Sequence, residues 1–141
     1  MSTKQAVVKH VQGVTFLGKS DSNHWVTMDG PESFGGSDAG TRPKELLLIA
    51  LGGCTGSDVI TILLKKKVQI SNFEMNITAD VAEEHPQVFT KINVEYVFYG
   101  KDIQGKDVER AIELSQTKYC SVTHMLNKAM PITHSFKIIS D

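Results

Sequence analysis

The sequence predicts an α+β fold in the order βββ–α–ββ–αα–β. Three observations carry this: two neighbouring segments alternate strictly between apolar and polar residues, a 19-residue apolar run follows a proline, and apolar residues recur at helical spacing after residue 105. A length of 141 residues fits a single domain, 1–141. With 40% hydrophobic and 22% charged residues, the composition excludes a disordered, collagenous or low-complexity chain.

Residues 5–29 predict a small meander. Ala6, Val7, Val8 and Val11 precede a turn at Gln12-Gly13, and Val14, Phe16 and Leu17 follow it. After Ser20-Asp21-Ser22-Asn23, the stretch His24–Met28 makes a third strand. Residues 29–42 form a Gly-rich segment that fails the phosphate-loop pattern, because Gly40 precedes Thr41 and Arg42 rather than Lys-Ser/Thr. A mobile connection is expected there. Pro43 suits the first position of a helix, which should run to about Lys67, its Lys65-Lys66-Lys67 triplet complementing the negative end of the macrodipole.

The run Leu46–Leu64 approaches the ~20 residues needed to span a bilayer. It contains Asp58, Ser57, two Thr and three Gly, so the expectation is no membrane but a central helix covered by protein on every side. Phe73, Met75, Ile77, Ala79 and Val81, then Ile92, Val94, Tyr96 and Phe98, predict a long hairpin turning at His85-Pro86-Gln87. Val108, Ala111, Ile112 and Ser115 predict a helix from about Lys106 to Lys118. A short third helix is expected from Ser121 to Lys128, with Ser121 as its cap. Ile132, His134, Phe136 and Ile138 close the chain as a strand, and pairing should be mainly antiparallel.

Fifteen basic against sixteen acidic residues leave a net charge of -1, which argues against a nucleic-acid partner. The start, MSTKQAVVKHV, lacks an apolar h-region, so a cytoplasmic location is expected. Two cysteines are too few for a stapled secreted scaffold, whereas a reactive thiol pair suits a reducing compartment.

Gly52-Gly53-Cys54-Thr55-Gly56 stands out inside the predicted helix, since each interior Gly costs roughly 1 kcal/mol against Ala. Tight packing explains the glycines, but not a Cys among them. Cys120 directly precedes the third helix, a place where thiols acquire thiolate character. Cys120 and His124 are one helical turn apart and Cys54 could join them, yet zinc-finger spacing is missing and no metal is expected. Asp58 follows Cys54 by one turn on the same face, where a carboxylate would raise the thiol pKa. His134 lies on the apolar face of the last strand as a core histidine. Neither Gly-x-Ser-x-Gly nor His-Glu-x-x-His occurs, so hydrolase chemistry has no support.

Arg42-Pro43-Lys44-Glu45-Leu46-Leu47 leading to Gly52-Gly53-Cys54, then Tyr119-Cys120-Ser121-Val122, resembles the OsmC/Ohr family, closest to its less characterised OsmC-like branch. The resemblance implies an OsmC-like fold in an intertwined homodimer, with a central helix from each subunit and active sites at the interface. It implies thiol-dependent reduction of organic hydroperoxides and a role in oxidative stress, with Cys54 peroxidatic and Cys120 resolving it as a disulfide. No bound cofactor is implied; a dithiol, lipoyl in type, would be the reductant. The family's helix-start Glu is replaced here by Lys44, and its N-terminal Arg has no counterpart in the meander. Glu45 and Arg42 are therefore candidate catalytic residues by proximity. The alternatives are a non-catalytic binder of a small apolar ligand and a stoichiometric redox sensor of the same fold.

Overall fold

A computed structural model describes residues 2–141, which form two compact units, one up to Leu47 and one from Leu48 to Asp141. In the first, β1 (Ala6–Gln12), β2 (Thr15–Ser20) and β3 (Val26–Met28) make an antiparallel sheet in that order. Val8 pairs with Gly18, and Phe16 with Met28. Gly13 turns the first hairpin at φ 51°, a conformation that favours glycine.

The segment after β3 is not the mobile connection expected. It is built around Asp29, only 1% exposed, whose carboxylate accepts hydrogen bonds from the Thr15 hydroxyl (2.8 Å) and the N–H groups of Gly30 (2.8 Å), Ser37 (3.2 Å) and Ala39 (3.1 Å). Burial pushes this carboxyl up, but the four donors outweigh it and hold it below its ordinary value. A short 3-10 turn, Glu32–Phe34, lies within the loop. At Gly36 any Cβ would fall 2.0 Å from the Gly30 carbonyl oxygen, so only glycine fits.

Helix α1 (Glu45–Lys65) begins just after Pro43-Lys44, which form the turn leading into it. Glu45 Oε1 accepts from the Arg42 N–H at 3.0 Å, half of a capping box. In the second unit, β4 (Asn72–Val81), β5 (Phe89–Tyr99) and β6 (Ile132–Ile139) form a sheet in that order. β4 and β5 are the antiparallel hairpin expected, Met75 facing Tyr96. Pairing is mainly antiparallel, as expected, with β6 the exception: it runs parallel to β5 with Phe136 beside Tyr96. A parallel neighbour needs a long crossover. The chain supplies it as α2 (Gly105–Leu114), a π-helical turn (Ser115–Tyr119) and α3 (Ser121–Leu126).

The core joins Leu51, Val59 and Leu63 of α1 to Val94, Tyr96 and Phe98 of β5 and Val108 of α2. A Cβ at Gly52 would meet Ile77 Cδ1 at 2.6 Å, and one at Gly56 would meet Met75 Cε at 2.5 Å, so these glycines let α1 lie close on β4. Length and composition would allow α1 to cross a membrane. Its inner face, however, holds Thr55 in hydrogen bonds to buried protein hydroxyls. Cover on every side is not found within one chain, where Ile49 and Leu64 are 58% and 59% exposed.

Candidate active site

Cys54 and Cys120, 66 residues apart in sequence, are both free thiols, and the fold brings them together. Their sulfurs and an Asp58 carboxylate oxygen lie within 4.8 Å of one another. Cys54 is half-buried on α1, and Asp58 follows it by one turn on the same side of the helix, as the sequence suggested. Cys120 is fully buried. It enters through the π-helical turn, whose last bond runs from the Cys120 N–H to the Ser115 carbonyl at 2.8 Å. Single π turns of this kind recur at functional sites.

The cap of α3 is Cys120 itself, not Ser121. Its sulfur accepts from the Thr123 N–H at 3.3 Å, leaving the Ser121 hydroxyl 3.9 Å from Cys54 Sγ. The helix start thus serves both thiols.

The two thiols differ in acidity. Burial pushes Cys54 up, but hydrogen bonds from the Val122 N–H, the Cys120 thiol and the Ser121 hydroxyl outweigh it, so Cys54 ends below its ordinary value. Asp58 opposes this by charge repulsion. Cys120 ends above its ordinary value, chiefly through burial, with the neighbouring Cys54 sulfur adding to the shift. Thiolate therefore forms first on the more accessible sulfur.

Behind the pair runs a chain of hydroxyls that sequence reasoning missed. Ser115 donates to Asp58 Oδ2 (3.0 Å), and Thr55 Oγ1 lies 3.0 Å from Ser115 Oγ and 2.7 Å from the Tyr96 hydroxyl. Tyr96 reaches His134 Nδ1 at 3.2 Å, and Gln116 Nε2 donates to both Thr55 and Tyr96. Each hydroxyl has one hydrogen to give. Because Ser115 spends its own on the carboxylate, Thr55 donates to Ser115, Tyr96 to Thr55, and His134 Nδ1–H to Tyr96. Every donor points toward Asp58. Burial raises Tyr96 to about 12 and lowers His134 to about 4, so both stay neutral near pH 7. One signal was legible: Ser115 occupies an apolar position of the second helix, where a hydroxyl must find a partner.

Arg42 and Glu45 belong to the first unit, where Arg42 pairs with Asp38 at 2.7 Å and Glu45 closes the turn into α1. His124 is exposed, and the third donor beside the thiols is Asp58 instead. Among the described residues, Cys54, Cys120 and Asp58 are the group that could hold a thiophilic metal ion. Structural zinc takes four ligands with sulfur at about 2.3 Å. Three donors spread over 4.8 Å, one already accepting from Ser115, make a loose fit.

The model of the family described as OsmC-like protein matches residues 35–135. Protein YhfA of Escherichia coli (strain K12) is 43% identical over 136 residues, covering 96% of this chain and 98% of its own. The crystal structure of a hypothetical protein from Aquifex aeolicus VF5 is 30% identical with a TM-score of 0.86, covering 100% of this chain and 99% of its own. An organic hydroperoxide resistance protein OsmC from Legionella pneumophila shares the fold, with a TM-score of 0.70 at 12% identity over 97% of this chain and 98% of its own.

Proposed function

The chain belongs to the OsmC-like protein family, and on that premise we propose that it is a thiol-dependent peroxidase for organic hydroperoxides. The observation that carries this reading is the asymmetric thiol pair: an accessible Cys54 with lowered pKa against a buried Cys120 with raised pKa, their sulfurs within 4.8 Å. In the proposed cycle the Cys54 thiolate attacks the peroxide O–O bond. One oxygen transfers to sulfur as a sulfenic acid and the other leaves as the alcohol after taking a proton. Cys120 then displaces water to form the disulfide. A dithiol of the lipoyl type returns both thiols by exchange. Neutral donors, the Val122 N–H, the Cys120 thiol and the Ser121 hydroxyl, hold the thiolate in this scheme. That arrangement suits a chain whose meander lacks arginine.

In this reading the protein acts in the cytoplasm and is a homodimer; the exposed apolar side chains Ile49 and Leu64 on α1 support the second point. The test is steady-state turnover of cumene hydroperoxide with dihydrolipoamide as reductant. Turnover that needs both thiols is expected, and a chain oxidised once without turnover would leave only a stoichiometric sensor.

A further inference from the structure

We infer that the Asp58 carboxylate is the proton-transfer group for closing the Cys54–Cys120 disulfide. The inference rests on the peroxidase reading for its oxidant, an organic hydroperoxide, and on the geometry for its residue. A carboxylate oxygen of Asp58 lies within 4.8 Å of both sulfurs. The other end of its contacts is fixed: the Ser115 hydroxyl donates to Oδ2 at 3.0 Å, and Thr55, Tyr96, Gln116 and His134 hold Ser115 in line. The same Ser115 receives the Cys120 N–H on its carbonyl, so one residue ties the carboxylate to the backbone of the resolving thiol.

A carboxylate is an expensive neighbour for a nucleophilic thiol, because it repels the thiolate. A five-residue hydrogen-bond chain that aims this charge at the sulfurs would work against attack on peroxide. It works in favour of the next step. Cys120 is fully buried, where a thiolate is poorly solvated, so its attack on a sulfenic Cys54 needs a base. Asp58 accepts the Cys120 S–H proton, across one bridging water or after the side chains close to hydrogen-bond distance, as the Sγ–Sγ bond forms and the Cys54 S–O bond breaks. The same proton then passes to the departing hydroxide, which leaves as water. Cys120 sulfur is oxidised, Cys54 sulfur is reduced, and Asp58 ends as it began.

The test separates the two steps by single turnover. The reduced full chain meets one equivalent of cumene hydroperoxide, and quenching with dimedone and iodoacetamide lets mass spectrometry follow sulfenic Cys54 and the disulfide separately. Asp58→Asn is expected to form sulfenic acid at least as fast as the wild type, since a repelling charge is gone. Its disulfide should close about a hundredfold more slowly, with Asp58→Glu restoring most of the rate. A simple electrostatic spectator predicts the opposite sign, because losing the charge would favour thiolate on Cys120. Disulfide closure as fast as wild type or faster in Asp58→Asn overturns the inference. Should that variant not fold, Ser115→Ala frees the carboxylate without removing its charge. Closure slowed about tenfold is then expected, and unchanged closure overturns the inference.

A second arm needs no hydroperoxide. Cys54 is labelled as a mixed disulfide with thionitrobenzoate, and attack by Cys120 releases the coloured thiolate. Release slowed by Asp58→Asn, in a chain that never forms sulfenic acid, would keep Asp58 and discard the peroxidase reading. A wild-type chain that closes the disulfide in neither arm overturns both.

Discussion

One face of α1 buries Leu51, Gly52, Thr55, Gly56, Val59 and Leu63, whereas the opposite side leaves Ile49, Ala50, Gly53 and Leu64 exposed. Both faces have similar sequence, apolar and rich in small residues. Only the inner one finds partners in its own chain, with its glycines pressed against Met75 and Ile77. Cys54 sits on the seam, half-buried, with Cys120 on its protein side. An apolar helix therefore states that it will be covered, and not by what. The seam is where a buried hydrogen-bond network meets an accessible sulfur.

The largest effect should come at the seam. In Cys54→Ser, hydroperoxide turnover is expected to fall at least ~10³-fold, because the nucleophile itself is lost. Cys120→Ser should still oxidise once at Cys54 but not turn over, which dimedone trapping distinguishes from no reaction. Full turnover in Cys54→Ser with none in Cys120→Ser would reverse the roles.

The outer face comes next. Ile49→Lys with Leu64→Lys changes two exposed positions, which in a monomer would shift stability by no more than ~0.5 kcal/mol each. If a second copy covers them, buried unpaired charge costs several kcal/mol and the dimer dissociates. Sedimentation equilibrium of the variant beside the wild type reads the difference. A wild type that is a folded monomer at micromolar concentration would end the homodimer proposal.

On the inner face, Thr55→Val removes the hydroxyl that links Tyr96 to Ser115 while keeping the shape. Leaving those buried groups short of a partner is expected to cost about 1–3 kcal/mol, measured by urea unfolding. Burial of His134 also sets an acid limit. His134 titrates near 4 in the fold against 6.5 unperturbed, so the unfolded chain binds the extra proton first. Stability is then complete above about pH 6.5 and declines as pH falls toward 4. Partial exposure of the ring keeps the loss well under the ~3 kcal/mol that the full shift would give. His134→Gln should flatten this limb of a Tm-against-pH curve.

These contrasts also mark what the sequence could carry. Alternation made the β4–β5 hairpin legible, and Pro43 with the apolar run located α1 to within two residues at each end. Those signals are periodic and local. The parallel placing of β6 was not legible, because β6 alternates like a half-covered antiparallel strand and lacks the continuous apolar run of a parallel strand buried on both faces. The order of the Asp29 loop was not legible, because it comes from one carboxylate meeting four donors spread over 25 residues, with no periodicity to betray it. At the site, Cys54, Asp58 and Cys120 were each visible, but not their meeting. Only the fold could join residues 58 and 115, and a π turn shifts the helical phase on which such a pairing would have been guessed.

The smallest expected effect is the sharpest probe of the outer face. Gly53 has no atom within 4 Å of a would-be Cβ, so in open solvent Gly53→Ala should gain about 1 kcal/mol through helix propensity alone. We expect a loss of similar size instead. Ala50, Gly53 and Ser57 form an exposed small-residue row at i, i+3 and i+7, and such a row lets a second helix approach until an added methyl group meets it. The proposed homodimer would place α1 of the other copy there. Gly56→Ala provides the control, since its Cβ meets Met75 inside the same chain and should destabilise monomer and dimer alike. Thermal unfolding of both variants at two protein concentrations separates the cases. A concentration-independent gain for Gly53→Ala would leave the outer face without a second helix over it, however apolar it is.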